Sequence, residues 1–368
     1  MLLSRTIPNC PTTLECLKSA IAPSEAVLLT EASHGMSFEC DYNYIPAHHQ
    51  LSILIDLAAS HEVEHHVLLS GSSIFLEDIF SGQKLISQQQ LQQVLKNAEQ
   101  CFRNQDISFL FGQRSLTTPF NDAIKSMLYA STFDEALSRY LEFSASVSPW
   151  LCPRLMYSQS HIHIYWLDEN KLENRFLIES AMSAVQAFSR QLYQAKLAWK
   201  FEFNFSEPDY IEQYWTHLGS ALEFNRPINM MSLPRDLIYE KLPNASSTLA
   251  SISYKYALKE MTAQNIQQSF LLSLHQYLMQ NIQNNIQLEQ TADYFQMSSA
   301  TLKRKLKKHQ THFQAQLDQS RLHTAIILYR VHGFKTEQIS QYLQINDATN
   351  FRRAFKRWSG LTVQAAQS

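Results

Sequence analysis

Glycine is scarce in this chain. Only seven of the 368 residues are glycine, whereas glycine makes up ~7% of the residues of an average protein. None of them forms a G-x-G-x-x-G or a G-x-x-x-x-G-K pattern. A glycine-rich loop that holds phosphates is therefore absent, which excludes kinase, Rossmann and P-loop sites.

Cysteines and long apolar runs are also few. The five cysteines show no C-x-x-C spacing and all lie in the first half, which excludes a cysteine-based zinc module and fits reduced thiols in a cytoplasm. No apolar run approaches the ~18–20 residues of a membrane span, and the N-terminal residues contain no signal-peptide core. We therefore expect a cytoplasmic protein without a membrane partner.

The distribution of proline divides the chain. All 11 prolines lie at or before Pro243, and the last 125 residues contain only two glycines. A stretch with so few breakers is typical of an all-helical domain. The polar segment "LPNASSTLAS" marks the end of the domain before it. We predict a first domain over 1–245, a partly helical linker over 246–265 and a second domain over 266–368.

Charge is divided in the same way. Residues 264–368 carry 12 Lys+Arg and 5 Asp+Glu, a net +7, whereas the rest of the chain carries 19 and 28, a net −9. Such an asymmetry indicates an acidic body joined to a part that binds a polyanion.

The first domain mixes helical and strand patterns, which predicts an α+β fold. Helical periodicity covers 50–60, 87–102, 119–130, 132–147 and 176–193, and strand alternation covers 161–167 and 199–205. In the second strand Trp199, Phe201, Phe203 and Phe205 share one face. These aromatics are consistent with core packing and with the wall of a ligand cavity.

The stretch "LEQTADYFQMSSATLKRKLKKHQ" (288–310) predicts a helix, a turn and a second helix. Ser298 is a suitable N-cap for the second helix, and Leu302 and Leu306 face inward at i and i+4. The outward face carries Ser299, Ala300, Lys303, Arg304 and Lys307.

The pattern recurs in "TEQISQYLQINDATNFRRAFKRWSG" (336–360). Asp347 caps a helix whose Phe351 and Phe355 face inward. The outward face carries Ala348, Thr349, Arg352, Arg353 and Lys356. A long amphipathic helix over 312–330 lies between the two units.

A single basic helix would fit an ordinary helical bundle with solvated cations. Two copies, each with a cap, a buried pair and a cationic face, favour two helix-turn-helix units that bind DNA. An α-helix fits the major groove, where Arg and Lys reach guanine edges, while cations farther along neutralise phosphates.

Residues 266–368 resemble the DNA-binding domain of the AraC/XylS family of bacterial transcription regulators. The resemblance depends on "MSSATLKRKL" and, above all, on "NFRRAFKRWSGLT". It implies that base edges are read from Ala300, Lys303, Arg304, Ala348, Thr349, Arg352 and Arg353. The family usually has Leu-Gly-Phe in the second turn, where this chain has Gln344 in place of the glycine, and Val363 replaces a usual proline.

The first domain resembles the arabinose-binding-type sensory domain of longer members of that family. The matching stretches include "YASTFDEALSRYLEFSASVSP" and "LEFNRPINMMSLPRDLIYEKLP". The resemblance implies a module that binds an effector or self-associates. No motif identifies the effector.

The stretch "HEVEH" (61–65) matches H-E-x-x-H, in which two His on one helical face hold zinc beside a Glu general base. A zinc hydrolase that uses His61, Glu62 and His65 is therefore an alternative function. The preceding "AAS" is typical of a helix end, and in the resembling sensory domains a short second helix follows. We therefore expect the two His to lie on different faces.

The prediction is a transcription regulator rather than an enzyme, with no cofactor and no metal. An α+β N-terminal sensory domain precedes an all-α DNA-binding domain whose two helix-turn-helix units are joined by a long helix. The expected partners are double-stranded DNA, a small-molecule effector, a second copy of the chain and, for an activator, RNA polymerase. A constitutive DNA-binding protein whose first domain only dimerises is the other alternative.

Overall fold

The computed structural model describes residues 39–102, 106–167, 175–264, 266 and 269–367. The strands are β1 (Asn43–Pro46), β2 (Leu85–Ser87), β3 (Cys152–Tyr157), β4 (His161–Leu167), β5 (Lys200–Glu202), β6 (Leu222–Glu223) and β7 (Met230–Pro234). The helices that precede the C-terminal part are α1 (Ala47–Ser60), α2 (His65–Leu68), α3 (Leu76–Phe80), α4 (Gln88–Cys101), α5 (Ile107–Ser115), α6 (Asp122–Leu128), α7 (Phe133–Glu142), α8 (Ser144–Val147), α9 (Arg175–Tyr193), α10 (Ile211–His217) and α11 (Ser247–Ala263). The C-terminal helices are α12 (Phe270–Gln280), α13 (Leu288–Tyr294), α14 (Ser299–Lys308), α15 (Phe313–Arg330), α16 (Thr336–Tyr342), α17 (Ala348–Ser359) and α18 (Val363–Gln367).

The chain therefore has a mixed N-terminal domain followed by an all-helical C-terminal domain, as the sequence predicts. Its main sheet has the order β3-β4-β7-β5-β6, antiparallel except between β5 and β6. A second, two-stranded sheet pairs β1 with β2. None of the helices in the described ranges is long and apolar enough to cross a membrane.

One face of the main sheet forms part of the N-terminal core. Ile164, Met231 and Phe201 lie side by side in register and are fully buried. Helix α9 belongs to the same core and crosses α5 closely at Gly112, where an added Cβ would lie 2.1 Å from the carbonyl oxygen of Ser180. Only glycine fits that crossing, because the obstacle is backbone.

The other face of the sheet is buried as well. Tyr165, Met230 and Glu202 form the adjacent row, and all three are buried. The ring of Tyr165 lies 5.2 Å from that of His323 in α15, centroid to centroid. The C-terminal domain therefore covers the face that the alternation assigned to polar residues.

Several elements differ in length from their sequence patterns. The strand expected over 199–205 ends at Glu202, because the backbone N–H of Asn204 donates to the Asn229 side chain at 2.9 Å instead of to a strand. Trp199, Phe201 and Phe203 are buried, and Phe205 is half-buried. The helix expected over 132–147 is broken at Phe143, and the one expected over 119–130 begins after the Asn121 cap.

The expected linker contains α11, which packs along α6 of the N-terminal domain. Its Ser246 cap accepts a hydrogen bond from the backbone N–H of Leu249. Ala250, Ser253 and Ala257 are its buried residues.

Candidate nucleic-acid interface

Helices α13 and α14 form the first helix-turn-helix unit. Gln296, in the turn, has a left-handed φ of 53°. Ser298 then caps α14, since its side-chain oxygen accepts a hydrogen bond from the backbone N–H of Thr301 at 3.1 Å. Leu302 and Leu306 are buried, so the opposite face of α14 is directed outward.

Helices α16 and α17 repeat this arrangement. Gln344 has a φ of 53° in the turn, which is the left-handed conformation that favours glycine. Asp347 caps α17, where its carboxylate accepts from the backbone N–H of Asn350 at 2.7 Å. Phe351 and Phe355 are fully buried. We call α14 and α17 the recognition helices.

Helix α15 joins the two units. Leu317, Leu322 and Ala325 are buried along it, and it packs on α12, α16 and α17. Near its end the ring of Tyr329 lies 6.5 Å from that of Phe355, in an edge-to-face arrangement. Helix α15 therefore packs on both helices of the second unit and follows α14 directly in the chain.

The predicted base-reading and phosphate positions lie on the outer faces of the recognition helices. Ser299 and Ala348 are half-buried at the helix starts. The exposed positions are Ala300, Lys303, Arg304, Lys307, Thr349, Arg352, Arg353 and Lys356. One weak ion pair occurs in this set, between Arg352 and Glu337 at 3.6 Å with both side chains well exposed.

Two further cations of α14 are turned towards the N-terminal domain. Lys305 lies 2.5 Å from a carboxylate oxygen of Glu39, and Lys308 lies 2.7 Å from the other oxygen and 2.6 Å from Asp41. Burial alone would raise the pKa of Glu39, but hydrogen bonds and charges from the two lysines lower it to about 2. Sequence reasoning missed this contact because the partners are more than 260 residues apart.

A second ionic contact ties α15 to the sheet. The guanidinium of Arg330 donates to both oxygens of Glu202, at 2.7 and 2.6 Å, and Arg226 donates to one of them at 3.3 Å. Burial by itself raises the pKa of Glu202, but the Arg330 hydrogen bonds and the charges of Arg330, Arg226 and Lys200 lower it below its ordinary value. The two domains therefore meet at the buried carboxylate of Glu202, which accepts two hydrogen bonds from Arg330.

Two buried histidines, His163 of the sheet and His323 of α15, have lowered pKa values and are neutral at pH 7. Burial, followed by the charge of Arg330, lowers the pKa of His163 to about 4. Burial, followed by the charge of Arg154, does the same for His323. Protonating His163 would place a second positive charge near Arg330, and protonating His323 would place one near Arg154.

The H-E-x-x-H stretch does not lie on one helix. Helix α1 ends at Ser60, Glu62 has a left-handed φ of 59°, and α2 begins only at His65. The Nδ1 of His61 lies 2.9 Å from the carbonyl oxygen of Leu57. The expected helix break is confirmed, and the arrangement that such a zinc site requires, two His one turn apart on one face, is not formed.

Two family models match the two domains of the chain. Residues 64–242 match the model described as the arabinose-binding N-terminal domain of the AraC transcription regulator, and residues 291–368 match a helix-turn-helix domain. The chain is 21% identical over 320 residues to the ornithine utilization regulator of Pseudomonas aeruginosa, covering 83% of this chain and 91% of that protein. The crystal structure of transcriptional regulator CdpR from Pseudomonas aeruginosa shares 16% identity, covers 86% of this chain and 97% of that chain, and superposes with a TM-score of 0.40.

An α+β sensory domain that is followed in the chain by two helix-turn-helix units defines a DNA-binding transcription regulator. The chain belongs to the AraC type of these regulators, with an arabinose-binding-type N-terminal domain.

The left-handed glutamine in the second turn leads to a stability prediction. Replacing Gln344 with Gly should raise the free energy of unfolding by about 0.5–1 kcal/mol, since relief of a left-handed Cβ, worth roughly 1–2 kcal/mol, outweighs the extra freedom of the unfolded chain. Gln341, exposed within α16, is the matched control, and its change to Gly should lower the free energy by about 1 kcal/mol. Urea denaturation measures both. Equal destabilisation by the two changes would show that φ at Gln344 is not strained.

Proposed function

We propose that the protein controls transcription by reading a specific duplex site with both recognition helices, under the control of a small-molecule effector bound by the N-terminal domain. The observation that carries this proposal is the repeated unit: a capped helix with a buried apolar pair and an exposed cationic face, present twice in the C-terminal domain with α15 between the copies. We assign 1–245 to the sensory domain, 246–265 to the linker and 266–368 to the DNA-binding domain.

The proposed roles differ along each recognition helix. Side chains in the first turns, represented by Arg304 and Arg353, read base edges, because an Arg in the major groove pairs with guanine O6 and N7. Lys307 and Lys356 lie farther along, where phosphates are the expected partners. The docked domains leave all four of these side chains exposed.

Selection of bound duplexes from a random pool tests sequence-specific binding directly. The full chain should enrich a site with two separately preferred segments about one helical turn apart, one for each recognition helix. A repeated pair of such sites would support the further proposal that two copies bind together. Repetition of the selection with candidate metabolites tests effector control, because an effector must bind two states with different affinity. Contact with RNA polymerase is proposed only for the case that the protein activates.

Variants then separate base contacts from phosphate contacts. Arg304→Ala and Arg353→Ala should each relax the preference at one segment of the site by about 1–3 kcal/mol. Lys307→Ala should weaken all sequences alike and lower the salt slope by about one unit. The two Arg variants should have effects of similar size, because Gln296 and Gln344 give the two turns the same left-handed φ of 53°.

Binding to a panel of single-base operator variants at two salt concentrations measures these effects. Lys259→Ala is the matched control, because Lys259 is an exposed cation on α11, outside the helix-turn-helix units. Even loss of affinity across the panel with both Arg variants would contradict the assignment of bases to these helices. An effect confined to one of the two Arg variants would show that only one recognition helix reads bases.

A further inference from the structure

A cavity of about 660 Å³ lies between the two domains. This volume is within the range of small-molecule sites, which occur preferentially at domain interfaces. Trp150, Trp166 and Arg175 line it from the N-terminal domain, and Arg357 and Trp358 line it from the end of α17. A molecule bound there would touch both domains at once.

The lining combines aromatic rings with polar side chains, and its net charge is positive. Three of the five tryptophans of the chain line the cavity. Its lining includes two arginines and one carboxylate, Asp318, and that carboxylate is already shared with Arg357 at 3.7 Å and Arg321 at 3.9 Å.

Arg175 is the second arginine of the lining, and Tyr210 accepts a hydrogen bond from it. Its guanidinium carbon lies 5.0 Å from the ring centroid of Phe205, which is also part of the wall. No carboxylate within the described ranges forms an ion pair with it. A cation beside an aromatic face suits an anion with a planar body.

We propose that this cavity binds a small aromatic carboxylate, with the carboxylate paired to Arg175 and the ring packed among the tryptophans. The inference rests on the proposed function, since it names the site and the chemical class of the effector. Contacts to both domains would give the ligand a higher affinity for the docked arrangement than for a separated one. Such a difference is what allows a ligand to shift the equilibrium between two states.

Tryptophan fluorescence of the full chain, read together with calorimetric titration, tests the proposal. The probes are benzoate, phenylacetate and 3-phenylpropionate, each compared with its primary amide. At least one carboxylate should quench the fluorescence and bind, and its amide should bind at least about tenfold more weakly because the charge-assisted pair is lost. Trp358→Phe should reduce the quenching without abolishing binding.

Arg175→Gln should weaken carboxylate binding at least about tenfold. Arg190→Gln is the matched control, because Arg190 is an exposed arginine on the same helix, and it should leave binding unchanged. The proposal is overturned if none of the three carboxylates binds, if the amides bind equally well, or if the two Arg variants behave alike. DNA selection without any probe keeps the proposals apart: a chain that selects a site yet binds no carboxylate refutes only the cavity assignment, and a chain that binds a carboxylate yet selects no site refutes the proposed function.

Discussion

Replacing Glu202 with Gln should lower the free energy of unfolding by about 3–5 kcal/mol, because removing one partner of a buried ion pair leaves the other charge uncompensated. Here Arg330 of the DNA-binding domain loses this carboxylate, and Arg226 of the sensory domain keeps its longer pair with Glu223. Glu202 is 1% exposed, so water cannot solvate the arginines in place of the lost carboxylate. Urea denaturation of the full chain measures the change.

Glu223 provides a matched control on the neighbouring strand. It pairs with Lys200 at 2.7 Å and with the same Arg226 at 3.5 Å, but it is 36% exposed. Glu223→Gln should therefore cost less than about 1 kcal/mol. A double-mutant cycle of Glu202→Gln with Arg330→Gln isolates the contact between domains. Similar costs for Glu202→Gln and Glu223→Gln would contradict the view that Glu202 holds the domains together.

The pH dependence of this contact has a defined sign. The pKa of Glu202 is lowered in the folded chain, so its contribution is present above the unfolded value of about 4.3 and is lost as pH falls through the folded pKa. The stability difference between the parent and Glu202→Gln should thus be constant from about pH 6 to 8 and shrink below about pH 4.

Local patterns in the sequence predicted the recognition helices well. Ser298 and Asp347 act as caps, and the apolar pairs at i and i+4 are buried, because these features involve residues within a few positions of one another. The break at His61 was predictable for the same reason. At Gln344 the local pattern was a poor guide. The turn there is left-handed although the glycine that usually marks such a turn is absent.

Local sequence patterns did not predict the contact between the two domains. Alternation over 199–205 correctly placed Glu202 opposite the aromatics, but a period of two does not say what covers the second face. A polar residue there predicts solvent, whereas Arg330, 128 residues away, covers it. Lys305 and Lys308 likewise belonged to a basic helix in the sequence, and only the fold shows that they face Glu39 rather than the outer side.

Phe203→Ala should lower the free energy of unfolding by about 3–5 kcal/mol, the cost of truncating a fully buried Phe. Phe203 is 0% exposed, and its ring lies 5.0 Å from that of Phe224 and 5.2 Å from that of Tyr214, between centroids. Tyr214 lies on α10 and Phe224 directly follows β6, so the site cannot collapse easily into the space that the ring leaves. Phe80→Ala is the matched control, because Phe80 is 79% exposed and its truncation should change stability by no more than about 0.5 kcal/mol. Urea denaturation of both variants decides the matter. A loss below about 1 kcal/mol for Phe203→Ala would mean that the aromatic face of this segment is not packed into the core, and the assignment of Glu202 to the opposite, domain-binding face would fail with it.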